Sequence, residues 1–170
     1  MMQKKVQIIS DGSLDLSQEL TKEKDIEVVP FYVSFDSETY QKEMVEVGVR
    51  EFYQEMVDHP TVFPKTSMPS VHDYYEVFEK HAKEKMPVIC ICITRKFSGS
   101  LQSATTAKDM ILEEYPDAQI TVIDSTVNTV LQGLYVLEAC RLRDMGLEYQ
   151  QIVDALLPIR ETGKIGRAHV

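Results

Sequence analysis

The residues best suited to bind a small ligand lie between Lys65 and Ser70. Thr66, Ser67 and Ser70 place hydroxyl groups directly before a segment with helical periodicity. Because the first N–H groups of a helix are unpaired and its N-terminus carries partial positive charge, neighbouring hydroxyls can help to bind a carboxylate or a phosphate. The alternative is plain helix capping by Ser70, with Asp73 completing a capping box. Capping accounts for Ser70 but leaves Thr66 and Ser67 available for a ligand.

A second candidate loop runs from Arg95 to Ser100 and follows the most apolar run of the chain. Ser98 and Ser100 supply hydroxyls, and Gly99 between them has no side chain to keep a ligand away from the backbone. Arg95 and Lys96 add positive charge, although a capped helix start with two solvated basic residues is the alternative. In open α/β sheets, ligands bind beyond the carboxyl ends of the strands, which is where this loop is predicted. We therefore expect the two loops to converge on one carboxylate.

Two acidic residues end predicted strands. Asp11 and Asp124 could each bind a metal or act as a base, although carboxylates in such positions more often cap a helix or brace a loop. We interpret Asp124 as a cap and leave the role of Asp11 open. No metal site is predicted, because the histidines fall into no zinc-ligand spacing. His72 and His81 share a predicted helix and are expected on the surface.

Motifs for nucleotide chemistry are missing from the sequence. It contains neither a Walker phosphate loop nor G-x-G-x-x-G, and it has no G-x-S-x-G nucleophile elbow. No nucleophile, base and orienting group can be assigned together. The residues therefore predict neither a catalytic site nor a cofactor.

Composition and charge limit the classes of partner. The 170 residues, 44% apolar and 26% charged, are typical of one globular domain. The net charge of −9 disfavours nucleic acid and anionic membrane surfaces, since both are negatively charged. No signal peptide or transmembrane-length apolar run is apparent, which predicts a cytoplasmic protein without stable membrane insertion and with reduced cysteines.

The apolar pattern predicts strands that alternate with helices. Predicted strands cover residues 6–9, 26–35, 88–94 and 120–123. Predicted helices cover residues 16–22, 49–57, 71–85, 101–114, 130–145 and 149–159, and residues 63–70 are predicted to be a loop. This alternation indicates an α/β fold with a mostly parallel central sheet and helices on both faces. Residues 1–160 are predicted to form one domain, and residues 161–170 a disordered or vector-derived tail or the start of a further domain.

Five segments, in this order along the chain, resemble motifs of the DegV family of fatty-acid-binding proteins. They are Ser10-Asp11-Gly12-Ser13-Leu14-Asp15-Leu16, Val29-Pro30-Phe31-Tyr32-Val33, Lys65-Thr66-Ser67-Met68-Pro69-Ser70, Phe97-Ser98-Gly99-Ser100-Leu101-Gln102-Ser103-Ala104, and Val122-Ile123-Asp124-Ser125 followed by Gln132-Gly133. The third segment resembles K-T-S-Q-P-S, with Met68 in place of the usual glutamine. Each segment alone is a weak signal, whereas the ordered set is specific.

The resemblance implies binding of a long-chain fatty acid. The carboxylate would be held by hydroxyls of the two loops, at positions that correspond here to Thr66, Ser67 and Ser98, with backbone groups near Gly99. Ser100 is predicted with them from its place in the second loop. The resemblance also implies a protein that is not an enzyme, needs no cofactor, and presents the fatty acid to a separate fatty acid kinase, which makes an acyl phosphate.

Length sets this chain apart from the family, whose members add a C-terminal domain that closes the lipid site. Because the chain stops near where that domain begins, other functions stay open. One is a ligand-free protein-interaction module, which an exposed apolar patch at the carboxyl ends of the strands would favour. Another is a small phosphotransferase-type enzyme that uses Asp11 or Asp124. A homodimer that covers the open face is a further expectation.

Overall fold

The centre of the computed structural model, which describes residues 6–163, is a sheet of four parallel strands. Its strands are β1 (Gln7–Asp11), β2 (Ile26–Val29), β6 (Val88–Cys92) and β7 (Ile120–Asp124), in the order β2-β1-β6-β7. All of β6 is buried, because an interior parallel strand is covered by helices on both faces. The prediction of a central parallel strand in this segment is therefore confirmed.

A smaller antiparallel sheet lies beside it and corrects two predictions. Its strands are β3 (Tyr32–Ser34), β4 (Gln41–Lys42) and β5 (Lys65–Ser67), in the order β4-β3-β5. The single strand predicted over residues 26–35 is divided between the two sheets, because Pro30 has no N–H to continue the first ladder. Residues 65–67, predicted as loop, pair with β3. That pairing is between distant segments, so the local sequence carries no sign of it.

Six α-helices accompany the sheets within residues 6–163. They are α1 (Gln18–Glu23), α2 (Val49–Asp58), α3 (Val71–Lys83), α4 (Ser100–Glu114), α5 (Thr129–Asp144) and α6 (Tyr149–Ile159). Each lies within two residues of its predicted bounds. Helix α1 begins two residues later than predicted, and Ser17 is its cap, with its Oγ accepting the Leu20 N–H. The reason is a short 3₁₀ turn at Gly12–Leu14, which delays the start of the helix.

The core has one part on each face of the central sheet. On one face, α5 and α6 pack against strand residues that include Ile8, Ile91 and Ile123. On the other face, α3 and α4 pack against residues that include Ile9 and Cys90. The predicted α/β fold, with a mostly parallel central sheet and helices on both faces, is confirmed.

His81 is buried, so the prediction of a surface histidine was wrong. Its side chain is 4% exposed, and its Nε2 lies 2.6 Å from the Glu27 Oε2 on β2. A partner carboxylate makes the burial of a polar ring tolerable. Glu27 is distant in sequence, which is why the helix pattern alone did not reveal the pair. His72 is exposed, as predicted.

Three other expectations concern the cysteines, membrane insertion and the C-terminal tail. Cys90, Cys92 and Cys140 are free, buried thiols, as predicted. Among residues 6–163, no helix combines the length and apolar character that crossing a bilayer requires. Residues 164–170 of the predicted tail lie outside the described residues.

Candidate functional site

The two hydroxyl-bearing loops meet at the carboxyl edge of the central sheet. Met68 of the first loop packs against Gly99 of the second, so closely that a β-carbon on Gly99 would lie 2.6 Å from the Met68 Sδ. Gly99 has a φ of −80°, which suits any residue, so the close approach and not the backbone conformation favours glycine here. The structure thus brings the loops together, as the sequence led us to expect.

A buried carboxylate anchors the second loop. Asp11, at the end of β1, is fully buried, and its Oδ2 accepts hydrogen bonds from the Ser100 hydroxyl at 2.7 Å and the Ile93 N–H at 2.9 Å. Its Oδ1 accepts hydrogen bonds from the Ser13 hydroxyl and the Gln132 side-chain amide, both at 2.7 Å. Four donors compensate for the lost hydration of the carboxylate. Asp11 therefore braces the loop, which resolves the role left open by the sequence.

The predicted ligand residues of the second loop differ in exposure. Ser98 and Gly99 are half-buried, whereas Ser100 is completely buried. The Ser98 Oγ accepts a hydrogen bond from the Ser100 N–H at 3.1 Å, and this bond caps the first turn of α4. The Ser100 hydroxyl lies 2.6 Å from the Tyr74 hydroxyl as well as contacting Asp11. Ser98 and Gly99 thus reach the surface, while Ser100 joins the loop to the core.

The first loop presents hydroxyls on both faces of β5. Successive side chains of a strand point to opposite faces, so the side chains of Thr66 and Ser67 diverge. Met68, two residues after Thr66, contacts Gly99, and residues two apart in an extended chain share one side. If this alternation continues to Met68, Thr66 is predicted on the side of the second loop. Both Thr66 and Ser67 are exposed, and on this prediction Thr66 and Ser98 are the pair best suited to share a ligand atom.

Positive charge surrounds this junction although the chain as a whole is acidic. Lys65 beside Thr66 and Lys96 in the second loop are exposed. The Arg95 Nε lies 3.6 Å from the Asp124 Oδ2. An anion at the junction would therefore meet local attraction within a negatively charged molecule.

Asp124 braces a loop and does not cap a helix, which corrects the interpretation from sequence. Its Oδ1 accepts the Thr126 N–H at 2.9 Å. The next helix, α5, begins only at Thr129 with Asn128 before it, so Asp124 lies too early to cap it. Within residues 6–163, no cluster of three or more histidine, cysteine, aspartate or glutamate side chains could hold a metal ion.

A groove of about 650 Å³ extends from the same edge of the sheet. Its apolar lining comes from Leu16, Val33, Val47, Phe52 and Tyr53. Val33 is paired with Thr66 across β3 and β5, and directly paired residues of antiparallel strands have β-carbons about 4.5–5.5 Å apart. The groove thus borders β3, the strand that pairs with the first loop, and its volume falls within the roughly 300–1,000 Å³ of small-molecule sites.

Two residues that line the groove bring it close to Asp11. Gly12, directly after Asp11, lines the groove together with Glu43. Burial raises the pKa of the Glu43 carboxyl, and the negative charge of Asp11 raises it further, while the Phe31 N–H that the carboxyl accepts opposes the shift. A raised pKa favours the neutral acid, which limits the negative charge in a groove that Asp15 and Glu19 also line.

Two side chains of the buried network were missed from the sequence. Gln132 of α5 is fully buried and donates to Asp11, 121 residues away. A glutamine on the buried face of a helix was the available signal, because a buried amide needs hydrogen-bond partners. The Tyr74 ring is buried in the core, and its hydroxyl lies 2.6 Å from the Ser100 hydroxyl. The partners of Gln132 and Tyr74 are distant in sequence, so neighbouring residues gave no sign of these contacts.

Comparison with known sequences identifies the family. The profile described as "Uncharacterised protein, DegV family" matches residues 5–165. The chain belongs to the DegV family. A DegV domain-containing protein of Clostridium acetobutylicum is 33% identical over 153 residues, which cover 90% of this chain and 53% of that protein. This DegV-family chain spans about half the length of the relatives that it matches.

Solved structures of DegV-family type share the fold. A stearic-acid-binding protein from Eubacterium ventriosum has a TM-score of 0.85 and 46% identity, with 89% of this chain and 52% of that chain covered. A DegV-family protein from Thermus thermophilus, described by its fatty-acid binding, has a TM-score of 0.76 and 29% identity, with 92% and 54% covered. Both resemble this chain over almost all of its described residues.

Proposed function

We propose that this DegV-family chain binds a long-chain fatty acid, with the carboxylate at the junction of the two loops. The contact of Met68 with Gly99 carries the proposal, because it joins two hydroxyl-bearing loops beyond the carboxyl ends of parallel strands. That edge is where α/β sheets bind ligands. The 46% identity to a stearic-acid-binding protein supports the same class of ligand.

Each residue of the proposed site has a distinct role. Thr66 and Ser98 donate their hydroxyl hydrogens to the carboxylate, and the backbone N–H of Gly99 adds a donor at the start of α4. Ser67, on the other face of β5, supports the strand that carries Thr66, and Ser100 fixes the second loop to the core. A carboxylate removed from water needs several donors, since otherwise it would bind as the neutral acid.

The apolar groove lined by Val33 and Phe52 is proposed to receive the acyl chain, since Val33 is the strand partner of Thr66. Burying one methylene group contributes about 0.8 kcal/mol, so about eight of them contribute roughly 6 kcal/mol. Chain burial then supplies most of the affinity, while the hydroxyls fix the orientation of the ligand. No cofactor is needed for binding of this kind.

Native mass spectrometry of the delipidated chain with added oleate tests the binding proposal. We expect a complex with the wild-type chain and at least roughly ten-fold weaker binding by the Thr66→Ala/Ser98→Ala variant, because charge-assisted hydrogen bonds are lost. Thr105→Ala is the matched control, because its hydroxyl bonds only the Leu101 carbonyl of its own helix, at 2.8 Å. Equal affinity of the double variant and the wild type would contradict the carboxylate site.

We further propose that the chain does not itself catalyse a reaction but presents the fatty acid to a separate fatty acid kinase in the cytoplasm. The carboxylate end lies at exposed loops, where a partner enzyme can reach it. The kinase would transfer the γ-phosphoryl group of ATP to a carboxylate oxygen, giving an acyl phosphate and ADP. Hydroxylamine trapping with a purified bacterial fatty acid kinase tests this. Absence of hydroxamate with the oleate-loaded chain, when a full-length DegV protein yields it with the same kinase, would contradict the proposal.

A protein-binding surface is the second candidate function, favoured by apolar side chains at the same edge. Phe97, Val130 and Leu134 are 43%, 55% and 56% exposed on the loop after β6 and the first turns of α5. Contiguous exposed apolar side chains mark interaction sites. Because relatives are about twice as long, we propose that their additional residues cover this face, with a second copy of the chain as the alternative. Light scattering of the purified chain distinguishes them, since a dimer would favour the second copy.

A further inference from the structure

Asp73, in the first turn of α3, connects several parts of the structure through one carboxylate. Its Oδ1 accepts hydrogen bonds from the Tyr32 hydroxyl at 2.8 Å and from the Lys42 Nζ at 2.9 Å. Its Oδ2 accepts hydrogen bonds from the Ser70 N–H at 2.8 Å and the Ser70 hydroxyl at 2.5 Å. The residue is 7% exposed, so these contacts replace nearly all of its hydration.

The donors on Oδ1 come from the small sheet and not from the helix. Tyr32 lies on β3 and Lys42 on β4, and the two residues are paired across these strands. Tyr32 is also paired with Ser67 on β5. One carboxylate therefore ties all strands of the small sheet, directly or through one strand pairing, to the start of α3.

The contacts of Asp73 with Tyr32 and Lys42 are not needed for helix capping. A capping box needs only the reciprocal bonds between Ser70 and Asp73, which the sequence predicted and the structure contains. Immediately after Asp73, Tyr74 is fully buried in the core, as is Phe78 one turn later. Asp73 thus connects the small sheet to a part of α3 that cannot move independently of the main sheet.

We infer that Asp73 is a positioning residue for ligand binding, which holds β5 so that Thr66 stays beside Ser98. The inference rests on the proposed function, because positioning matters only if Thr66 contacts the ligand. The Asp73 carboxylate is 7% exposed and already accepts hydrogen bonds at both oxygens, so the role inferred for it is to position the site and not to contact the ligand. Its role is the counterpart of that of Asp11, which holds the other loop.

The Asp73→Asn variant should disrupt the contacts with Tyr32 and Lys42 while it keeps the capping box with Ser70. An amide accepts at its oxygen and donates at its nitrogen. In the orientation that keeps the oxygen on Ser70, the nitrogen faces Tyr32 and Lys42, and both lose their acceptor. Tyr32→Phe is the second variant, since it removes one tie and leaves the capping box intact. Gln151→Ala is the matched control: it removes the acceptor of the Glu148 N–H in the capping box of α6, on the other face of the sheet.

The test compares the dissociation constants of oleate and of oleyl alcohol, which has the same chain but no carboxylate. For Asp73→Asn we expect at least about ten-fold weaker oleate binding, the equivalent of one charge-assisted hydrogen bond, and less than about three-fold weaker alcohol binding. Tyr32→Phe should lie between the wild type and Asp73→Asn, and Gln151→Ala should match the wild type. Equal losses for both ligands, or no loss for oleate, would overturn the inference.

Hydrogen exchange of the unliganded chain gives a readout that does not depend on the ligand. Residues 65–67 should exchange several-fold faster in Asp73→Asn than in the wild type, while β6 should be unchanged. If the wild type binds neither ligand, the proposed function fails, yet faster exchange in these residues would still support Asp73 as the residue that holds β5. Unchanged exchange at residues 65–67 would overturn the inference whatever the binding result.

Discussion

Replacing Gly133 by alanine is expected to destabilise the fold, although alanine is the better helix former. A β-carbon on Gly133 would lie 2.4 Å from the Leu14 carbonyl oxygen and 2.9 Å from the Leu16 Cδ2. Ordinary contacts begin at 3.4 Å, so the backbone of the 3₁₀ turn would have to move by about 1 Å. That turn is tied to α5 because the Ser13 Oγ lies 2.6 Å from the Gln132 Oε1, so that Asp11 and Gln132 share its single hydroxyl hydrogen.

The magnitude follows from two opposing effects. Alanine gains about 0.5–1 kcal/mol over glycine in a helix interior. Overpacking of a well-packed core costs about 1–3 kcal/mol, and a backbone oxygen cannot rotate away as a flexible side chain can. The balance is a net loss of about 1–2 kcal/mol in the free energy of unfolding, which is a substantial part of the roughly 5–15 kcal/mol of a typical domain.

Urea unfolding followed by circular dichroism measures the effect against two matched glycine variants. Gly48→Ala adds a β-carbon with nothing within 4 Å, so its loss in free energy of unfolding should be limited to the poorer N-cap of α2, less than about 1 kcal/mol. Gly99→Ala meets only the flexible end of Met68 and should be nearly as mild. The reasoning would be refuted if Gly133→Ala were as stable as Gly48→Ala or the wild type.

Three further outcomes are expected. Burial alone would raise the pKa of Asp73, but hydrogen bonds from Ser70, Lys42 and Tyr32 hold the pKa at about 2 against an ordinary 3.8. Asp73 therefore stabilises the fold above about pH 4, and this stabilisation is lost as the pH falls through about 2. The difference in urea midpoint between wild type and Asp73→Asn should close over that window, and a constant difference would argue against the ion pair. Met68→Ala should restore the oleate affinity that Gly99→Ala lowers, because it removes the sulfur that the new β-carbon meets; additive losses measured by calorimetry would be inconsistent with that contact. The buried thiols, with the pKa of Cys90 raised by burial, should react with Ellman's reagent only as the chain unfolds, whereas a rapid phase in the native protein would disagree with their burial.

Sequence reasoning succeeded where the signal is local. The helix bounds, the capping box at Ser70 and the buried run of β6 all depend on residues within a few positions of one another. Hydrophobic periodicity and capping act over such distances. The convergence of the two loops was also predictable, because α3 leads into β6 and α4 follows it, so both helices should begin at the carboxyl edge of the sheet.

Pairings between distant segments could not be predicted in the same way. The exposed strand β5 has no apolar pattern of its own, and it forms only because β3 offers an open edge. His81 is buried because Glu27 lies opposite it, and Asp11 is satisfied by Gln132 from far along the chain. In each case the partner is chosen by the packing of whole elements.

By itself, the sequence of this DegV-family chain determined the six helices, the strands of the central sheet and which segments carry the hydroxyls. Only the tertiary structure decided that Ser100 is buried on Asp11 and that Met68 fills the space above Gly99. The physical reason is that hydrophobic patterning specifies the face of each element. Strand register and side-chain contacts are settled only when distant elements pack to satisfy buried polar groups.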